Sequence, residues 1–177
     1  MLQYIYTRSI GVIILLMLAL IAGWGFLRIK TPRKWWRVAN ICLMFPALTA
    51  ILYATLSTRE SRDYALLLNP LEKLEAAHIQ PELYREMLMN ALLFLPLGLT
   101  LSHAFSDRLP RWGRFLLTVI CGCLLSTGIE YVQYRFSLGM VETADVICNT
   151  LGETLGAVSL LLAHILERYI ERRRQRL

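Results

Sequence analysis

The sequence predicts an all-α integral membrane protein built as a bundle of five transmembrane helices. Of the 177 residues, 56% are hydrophobic and only 18% are charged, whereas soluble domains are about 45–50% apolar. Lys, Arg, Asp and Glu are also absent from four long blocks, which are residues 9–27, 38–58, 87–106 and 115–129. These blocks approach the roughly 20 apolar residues that a helix needs to cross a bilayer.

Five spanning helices are predicted in chain order, over residues 9–27, 38–57, 87–105, 115–134 and 145–166. The first could be a cleaved signal peptide or a membrane anchor. Its apolar run exceeds the roughly 7–15 residues of a signal-peptide core, which favours the anchor. The fifth is the least obvious because Asp145, Asn149 and Glu153 interrupt its first half, but residues 154–166 are largely apolar.

The distribution of Lys and Arg predicts the orientation of the bundle. Thirteen lie after the first, third and fifth spans, and six lie on the other side. Basic residues favour the cytoplasmic side, so we expect the N-terminus outside and the C-terminus inside. Residues 1–177 then form a single transmembrane domain, with residues 167–177 as a basic cytoplasmic tail. The thirteen basic residues on the inner side, which we call the basic collar, predict contact with anionic lipid of the inner leaflet rather than with nucleic acid.

The long loop over residues 59–86 contains the signals of a short helix. Asn69 is a suitable N-cap, and Pro70 suits the first helical position. The predicted helix separates its residues by type, with Leu71 and Leu74 on one face and Glu72, Lys73 and Glu75 on the other. We expect a short amphipathic helix lying on the outer surface, with an ordinary solvated loop helix as the alternative.

Polar side chains concentrate at the predicted outer ends of the last three spans. An ionisable group inside a span costs at least about 2.5–3.5 kcal/mol at mid-depth, so it usually faces a partner or a water-filled cavity. We therefore expect an outer-leaflet polar cleft that binds a ligand. Its predicted lining consists of Glu130, Gln133, Asp145, Asn149 and Glu153, with Asn90 at its rim and Arg135 near its mouth as a counter-charge for Glu130 or Asp145.

Three segments carry a resemblance to a known family: "NALLFLPLG" from Asn90, "IEYVQ" from Ile129 and "DVICNTLGETLG" from Asp145. In this order and spacing they resemble the VanZ-like membrane proteins. The resemblance implies residence in the bacterial plasma membrane and an association with resistance to glycopeptide antibiotics such as teicoplanin. It carries the family's polar positions onto Asn90, Glu130, Gln133, Asp145 and Asn149.

This sequence departs from the family pattern at two positions. Many members have an Arg about seven residues before the Asp, where Leu138 stands here, and Arg135 lies one turn away. Members usually have a small residue where this chain has Glu153. The departures bear on the chemistry of the site rather than on family resemblance.

Two functions of different class follow from these residues. The first is a binding protein whose outer cleft holds a lipid-linked cell-wall precursor or a lipoglycopeptide. The second is a membrane-embedded enzyme that uses Glu130 and Asp145 as a carboxylate pair. A nucleophile with an adjacent base, metal-ligand spacing and a phosphate loop are all missing from the sequence. We therefore expect no metal and no cofactor and favour binding; the sequence leaves the oligomeric state open.

The orientation predicts which introduced cysteines will react from outside the cell. In a background whose four native cysteines are replaced by alanine, Cys at Gln80 should react with an impermeant maleimide in intact cells. Cys at Gln175 should react only after permeabilisation. The reverse pattern would overturn the assignment of the N-terminus to the outside.

Overall fold

A computed structural model describes residues 2–57, 66–105, 107–138 and 141–176. Within these ranges the chain forms six α-helices, which are α1 (Leu2–Lys30), α2 (Arg33–Leu52), α3 (Pro70–Ile79), α4 (Pro81–Ala104), α5 (Arg111–Arg135) and α6 (Thr143–Arg174). A π-helical turn, Tyr53–Ser57, extends α2. Two short strands, β1 (Leu66–Leu67) and β2 (Val141–Glu142), pair in parallel and tie the segment before α3 to the start of α6.

Five of the helices are long and apolar enough to cross a membrane, which confirms the predicted number of spans. They are α1 from Ile10 onward, α2 with its π-helical turn, α4, α5 and α6. The helix α6 continues through Arg174, so most of the predicted basic tail is helical. Arg172, Arg173 and Arg174 occupy its last turn, where positive charge interacts favourably with the helix dipole.

The short helix α3 begins as predicted, but one of its residues faces the other way. The Asn69 side chain accepts a hydrogen bond from the Leu71 backbone N–H at 3.1 Å, and Pro70 takes the first helical position. Lys73 is buried against the bundle, whereas Glu72 is exposed. The predicted solvated face is therefore wrong for Lys73, because its ammonium contacts carboxylates of other helices. The location of α3 on the outer surface stays a prediction.

The helices α4 and α6 run parallel and approach each other closely. A Cβ atom on Gly152 would overlap the carbonyl of Ala91, and one on Gly156 would overlap the carbonyl of Leu95. On the other helix, a Cβ on Gly98 would overlap the backbone of Glu153. Small residues are what allow membrane helices to approach this closely. The backbones of α4 and α6 therefore touch over two turns.

The apolar side chains of α4 point to both sides of this contact. On one side Leu95 and Leu99 pack against Met17 and Ile21 of α1. On the other side Phe94 and Leu97 pack against Ile51 of α2 and Ile129 of α5. The helix α4 is thus the centre of the bundle, and α1, α2, α5 and α6 surround it.

The end of α5 turns the chain back toward the start of α6. Ser137 has a φ of 52°, the left-handed conformation that commonly ends a helix. The Leu138 N–H then donates to the Gln133 carbonyl at 2.9 Å, which satisfies a carbonyl that the helix itself leaves open. This turn allows Glu142 to lie beside the last turns of α5.

Two glycine-to-alanine substitutions should change stability in opposite directions. At Gly152 the added methyl meets backbone, so we expect Gly152→Ala to lower the free energy of unfolding by about 1–3 kcal/mol. At Gly128 the added methyl meets open space, so Gly128→Ala should raise helix stability by about 0.5–1 kcal/mol. Thermal unfolding in one detergent compares them. Equal shifts for both variants would contradict the close contact.

Candidate functional site

One buried lysine forms ion pairs with three carboxylates from two other parts of the chain. The Lys73 Nζ lies 2.9 Å from Asp145 Oδ1, 2.5 Å from Glu142 Oε2 and 3.2 Å from Glu86 Oε1. The side chains of Lys73, Asp145 and Glu142 are 6%, 5% and 9% exposed, whereas that of Glu86 is 50% exposed. We call these four residues the Lys73 cluster. Glu86 is its open edge.

The helix packing explains why these residues meet. Glu86 lies in the second turn of α4, and Asp145 lies in the first turn of α6. Because α4 and α6 are parallel and touch, the beginnings of the two helices are neighbours. The helix α3 precedes α4 and presents Lys73 to both, and the acidic side chain of Asp145 also suits the positive end of the α6 dipole.

The surroundings of Lys73 keep its ammonium charged. Burial by itself would lower the pKa of Lys73, but hydrogen bonds to Asp145 and Glu142 and the negative charges of both outweigh burial. The pKa therefore stands above its ordinary value. Among the described residues, no group of three or more His, Cys, Asp or Glu side chains is arranged to hold a metal ion.

The other predicted polar residues of α5 join helices together. Glu130 is buried, and its Oε2 accepts a hydrogen bond from the Glu142 backbone N–H at 3.0 Å, just before α6 begins. Gln133 is also buried, and its Nε2 donates to the Thr55 carbonyl in the π-helical turn at 2.9 Å. These two side chains thus connect α5 with the start of α6 and with the end of α2.

The polar contact between α5 and α6 continues deeper into the bundle. The Asn149 Nδ2 donates to the Ser126 Oγ at 2.9 Å. Two turns beyond Asp145, which is about 12 Å along the helix, the fully buried side chain of Glu153 lies against Gly122. A Cβ on Gly122 would overlap that carboxylate. Within the described chain, neither oxygen of Glu153 has a hydrogen-bond partner.

Two predicted residues are less buried than the others. Asn90 is half-buried. Arg135 is exposed, and the described carboxylates include none within ion-pair distance of it. The positive charge beside Asp145 comes from Lys73 instead. The sequence does not single out Lys73, because its spacing places it beside Glu72 and Glu75 on the polar face of the helix. A local signal is Ala77, four residues on, which shares the buried face of Lys73.

The residues of the predicted polar cleft also have a common environment. Glu130, Gln133, Asp145, Asn149 and Glu153 are all buried, so they are packed between helices rather than arranged around an open space. Glu86, at 50% exposure, is the one strongly exposed member of the Lys73 cluster.

An apolar groove lies next to this cluster, between α1, α4 and α6. Its volume is about 330 Å³. The α1 wall includes Ile14, Met17 and Leu18, the α4 wall includes Met87 and Leu88, and the α6 wall includes Cys148, Leu151 and Leu155. Met87 follows Glu86 directly, and Cys148 lies one turn from Asp145. We call this space the α1/α4/α6 groove.

Removing the ammonium of Lys73 should destabilise the fold. Lys73→Met leaves Glu142 and Asp145 buried without this counter-charge, so we expect a loss of about 3–5 kcal/mol in the free energy of unfolding. Arg85→Met is the matched control, because Arg85 is an exposed cation on the same end of the bundle. Thermal unfolding in detergent measures both. Similar small shifts would show that the cluster contributes little to stability.

Comparisons with known proteins assign most of the chain to a family. Residues 57–164 match the VanZ/LLP1 family. The chain is also similar to Protein VanZ of Enterococcus faecium, with 36% identity over 75 residues, which are 41% of this chain and 42% of that protein. The similarity therefore spans less than half of that relative. No solved structure gives a significant match. Because the family match covers more than half of the chain, this multi-pass membrane protein belongs to the VanZ/LLP1 family.

Proposed function

We propose that this protein contributes to resistance to glycopeptide antibiotics of the teicoplanin type in the bacterial plasma membrane. It does so by binding a lipid-linked or lipidated ligand, with the acyl chain in the α1/α4/α6 groove and the polar head at the Lys73 cluster. The observation that carries the proposal is the juxtaposition of this apolar groove with the buried ionic cluster.

The groove has the properties that an acyl chain requires. Its volume of about 330 Å³ is at the lower end of the roughly 300–1,000 Å³ of ligand pockets. The surface of its lining is almost entirely apolar, and Leu18, Leu151 and Leu155 are exposed there. An acyl chain that leaves the bilayer for this groove exchanges one apolar environment for another. Selectivity among ligands must therefore come from the head group.

The Lys73 cluster supplies that selectivity through Glu86. Its carboxylate is half-exposed, and in the described chain its contact is with Lys73 alone. A carboxylate at this position accepts hydrogen bonds from hydroxyl and ammonium groups, which are plentiful on glycopeptides and on sugar-bearing lipids. Lys73 also contacts Glu142 and Asp145, so its single positive charge is shared among three carboxylates. It therefore keeps Glu86 in place without fully neutralising the Glu86 carboxylate.

The predicted orientation supports the biological setting. With the N-terminus outside, the beginnings of α4 and α6 lie in the outer leaflet, so the Lys73 cluster faces the side where cell-wall precursors and antibiotics meet. The thirteen basic residues then lie at the opposite, cytoplasmic end. The groove and cluster would be reached laterally from the outer leaflet.

The alternative of a carboxylate-pair enzyme receives less support from the geometry. The Glu130 carboxylate accepts the Glu142 backbone N–H, and the Asp145 carboxylate is ion-paired with Lys73. Both contacts hold helices in place. A general acid or base needs reach to its substrate, and both side chains are buried. The arrangement therefore supports binding better than carboxylate chemistry.

Filling the groove should abolish the resistance phenotype while leaving the protein intact. In a susceptible Gram-positive host, the wild-type chain should raise tolerance to teicoplanin, which is acylated, more than tolerance to vancomycin. Leu151→Trp fills the groove and should lose this gain by several-fold at equal protein abundance. Leu124→Trp is the matched control, because Leu124 is exposed on α5 away from the groove, and should keep the gain.

Other outcomes separate the alternatives. An equal gain for both antibiotics would contradict recognition of a lipidated ligand. If Leu151→Trp retained the gain while Glu130→Gln abolished it at unchanged abundance and thermal stability, the enzyme alternative would be favoured instead. Minimum inhibitory concentrations and immunoblots of membrane fractions provide these measurements.

A further inference from the structure

A second cavity lies at the opposite end of the bundle from the Lys73 cluster. Its volume is about 570 Å³. It lies where the end of α1, the start of α2, the α4–α5 connection, the start of α5 and the last half of α6 meet. Five arginines line it, which are Arg28, Arg33, Arg111, Arg114 and Arg168. We call it the arginine cavity.

Two of these arginines are neutralised and three are not. Arg28 Nη2 lies 3.3 Å from Glu167 Oε1, and Arg114 Nη1 lies 2.9 Å from Asp107 Oδ1. The remaining three have no carboxylate within ion-pair distance in the described chain: Arg33, Arg111 and Arg168. Glu171 is the remaining acid in the lining. The cavity therefore has an excess of positive charge from three separate elements, α2, α5 and α6.

The walls of the cavity are not uniformly charged. Leu160 and Ala163 of α6 contribute an apolar surface, and Trp112 is 69% exposed at the start of α5. Trp commonly lies at the level of lipid head groups. His164 also lines the cavity, and its Nε2 has no hydrogen-bond partner in the described chain. The lining thus combines cations, a nitrogen without a partner and an apolar wall.

We propose that the arginine cavity is a binding site for the phosphate group of an anionic phospholipid. Guanidinium groups match phosphate oxygens in geometry and bind them through paired hydrogen bonds, and basic pockets between membrane helices suit anionic head groups. The apolar wall formed by Leu160 and Ala163 accommodates the lipid beside its phosphate. The site is distinct from the groove and cluster of the proposed function and does not depend on them.

An anionic lipid could bind in the arginine cavity itself or be attracted to all the basic residues at this end of the bundle. Matched variants distinguish these two possibilities. Arg33→Gln, Arg111→Gln and Arg168→Gln together remove the three unpaired cations of the cavity. Arg172→Gln, Arg174→Gln and Arg176→Gln together remove the same charge from exposed residues that do not line it. Both proteins are purified from membranes containing phosphatidylglycerol, and native mass spectrometry counts the retained lipid.

The wild-type chain should retain phosphatidylglycerol in preference to phosphatidylethanolamine. The cavity variant should lose at least about tenfold in occupancy, and the control should lose less than about twofold. Replacing the same three cavity arginines by lysine keeps the charge and should restore part of the binding, provided that thermal unfolding shows all variants folded. Equal losses in the cavity variant and the control would overturn the proposal, as would equal retention of the two lipids.

Free phosphate is the other source of the same chemistry, and a second arm tests it. Inorganic phosphate is added to delipidated protein in detergent, and thermal unfolding is compared with added phosphatidylglycerol. For the wild-type chain, the lipid should raise the unfolding temperature far more than phosphate does. For the cavity variant, the lipid should give no such rise. A larger shift with phosphate than with lipid would overturn the assignment to a phospholipid.

Discussion

The contact between the backbones of α4 and α6 is the constraint on which the rest of the molecule depends. It exists because Gly98, Gly152 and Gly156 leave no Cβ between the helices. Since the two helices are parallel, their beginnings become neighbours, and so do Glu86 and Asp145. A single lysine from α3 can then bind both, which attaches the connection between α2 and α4 to the bundle.

Buried polar contacts hold the remaining helices to this pair. A polar group in an apolar environment is costly unless it has a partner. Glu130 Oε2, Gln133 Nε2 and Asn149 Nδ2 find partners in a backbone N–H, a carbonyl and a hydroxyl, whereas the amide oxygens of Gln133 and Asn149 have none in the described chain. Each hydrogen bond also fixes the rotation of one helix relative to another. Apolar packing between helices in lipid specifies that rotation only weakly. Glu153 differs, because its space is created by Gly122 rather than by a polar partner.

The two ends of the bundle carry different side chains. One end combines carboxylates, a neutralising lysine and an apolar groove, and the proposed binding of a lipidated ligand rests on these features. The other end combines unpaired guanidinium groups with an apolar wall, and it suits a phosphate. Under the proposed orientation, the two sites would take different lipids from the outer and inner leaflets.

The number of spans and the polar ends of α5 and α6 could be predicted from the sequence alone, because a bilayer demands about 20 apolar residues and penalises every charge within them. The family resemblance likewise rests on local segments around Asn90, Glu130 and Asp145. The role of Lys73 could not be predicted, because its partners Glu86 and Asp145 lie 13 and 72 residues away. The groove and the arginine cavity also exist only between helices. Their positions depend on which faces meet, and in this protein the glycine contact of α4 with α6 decides that.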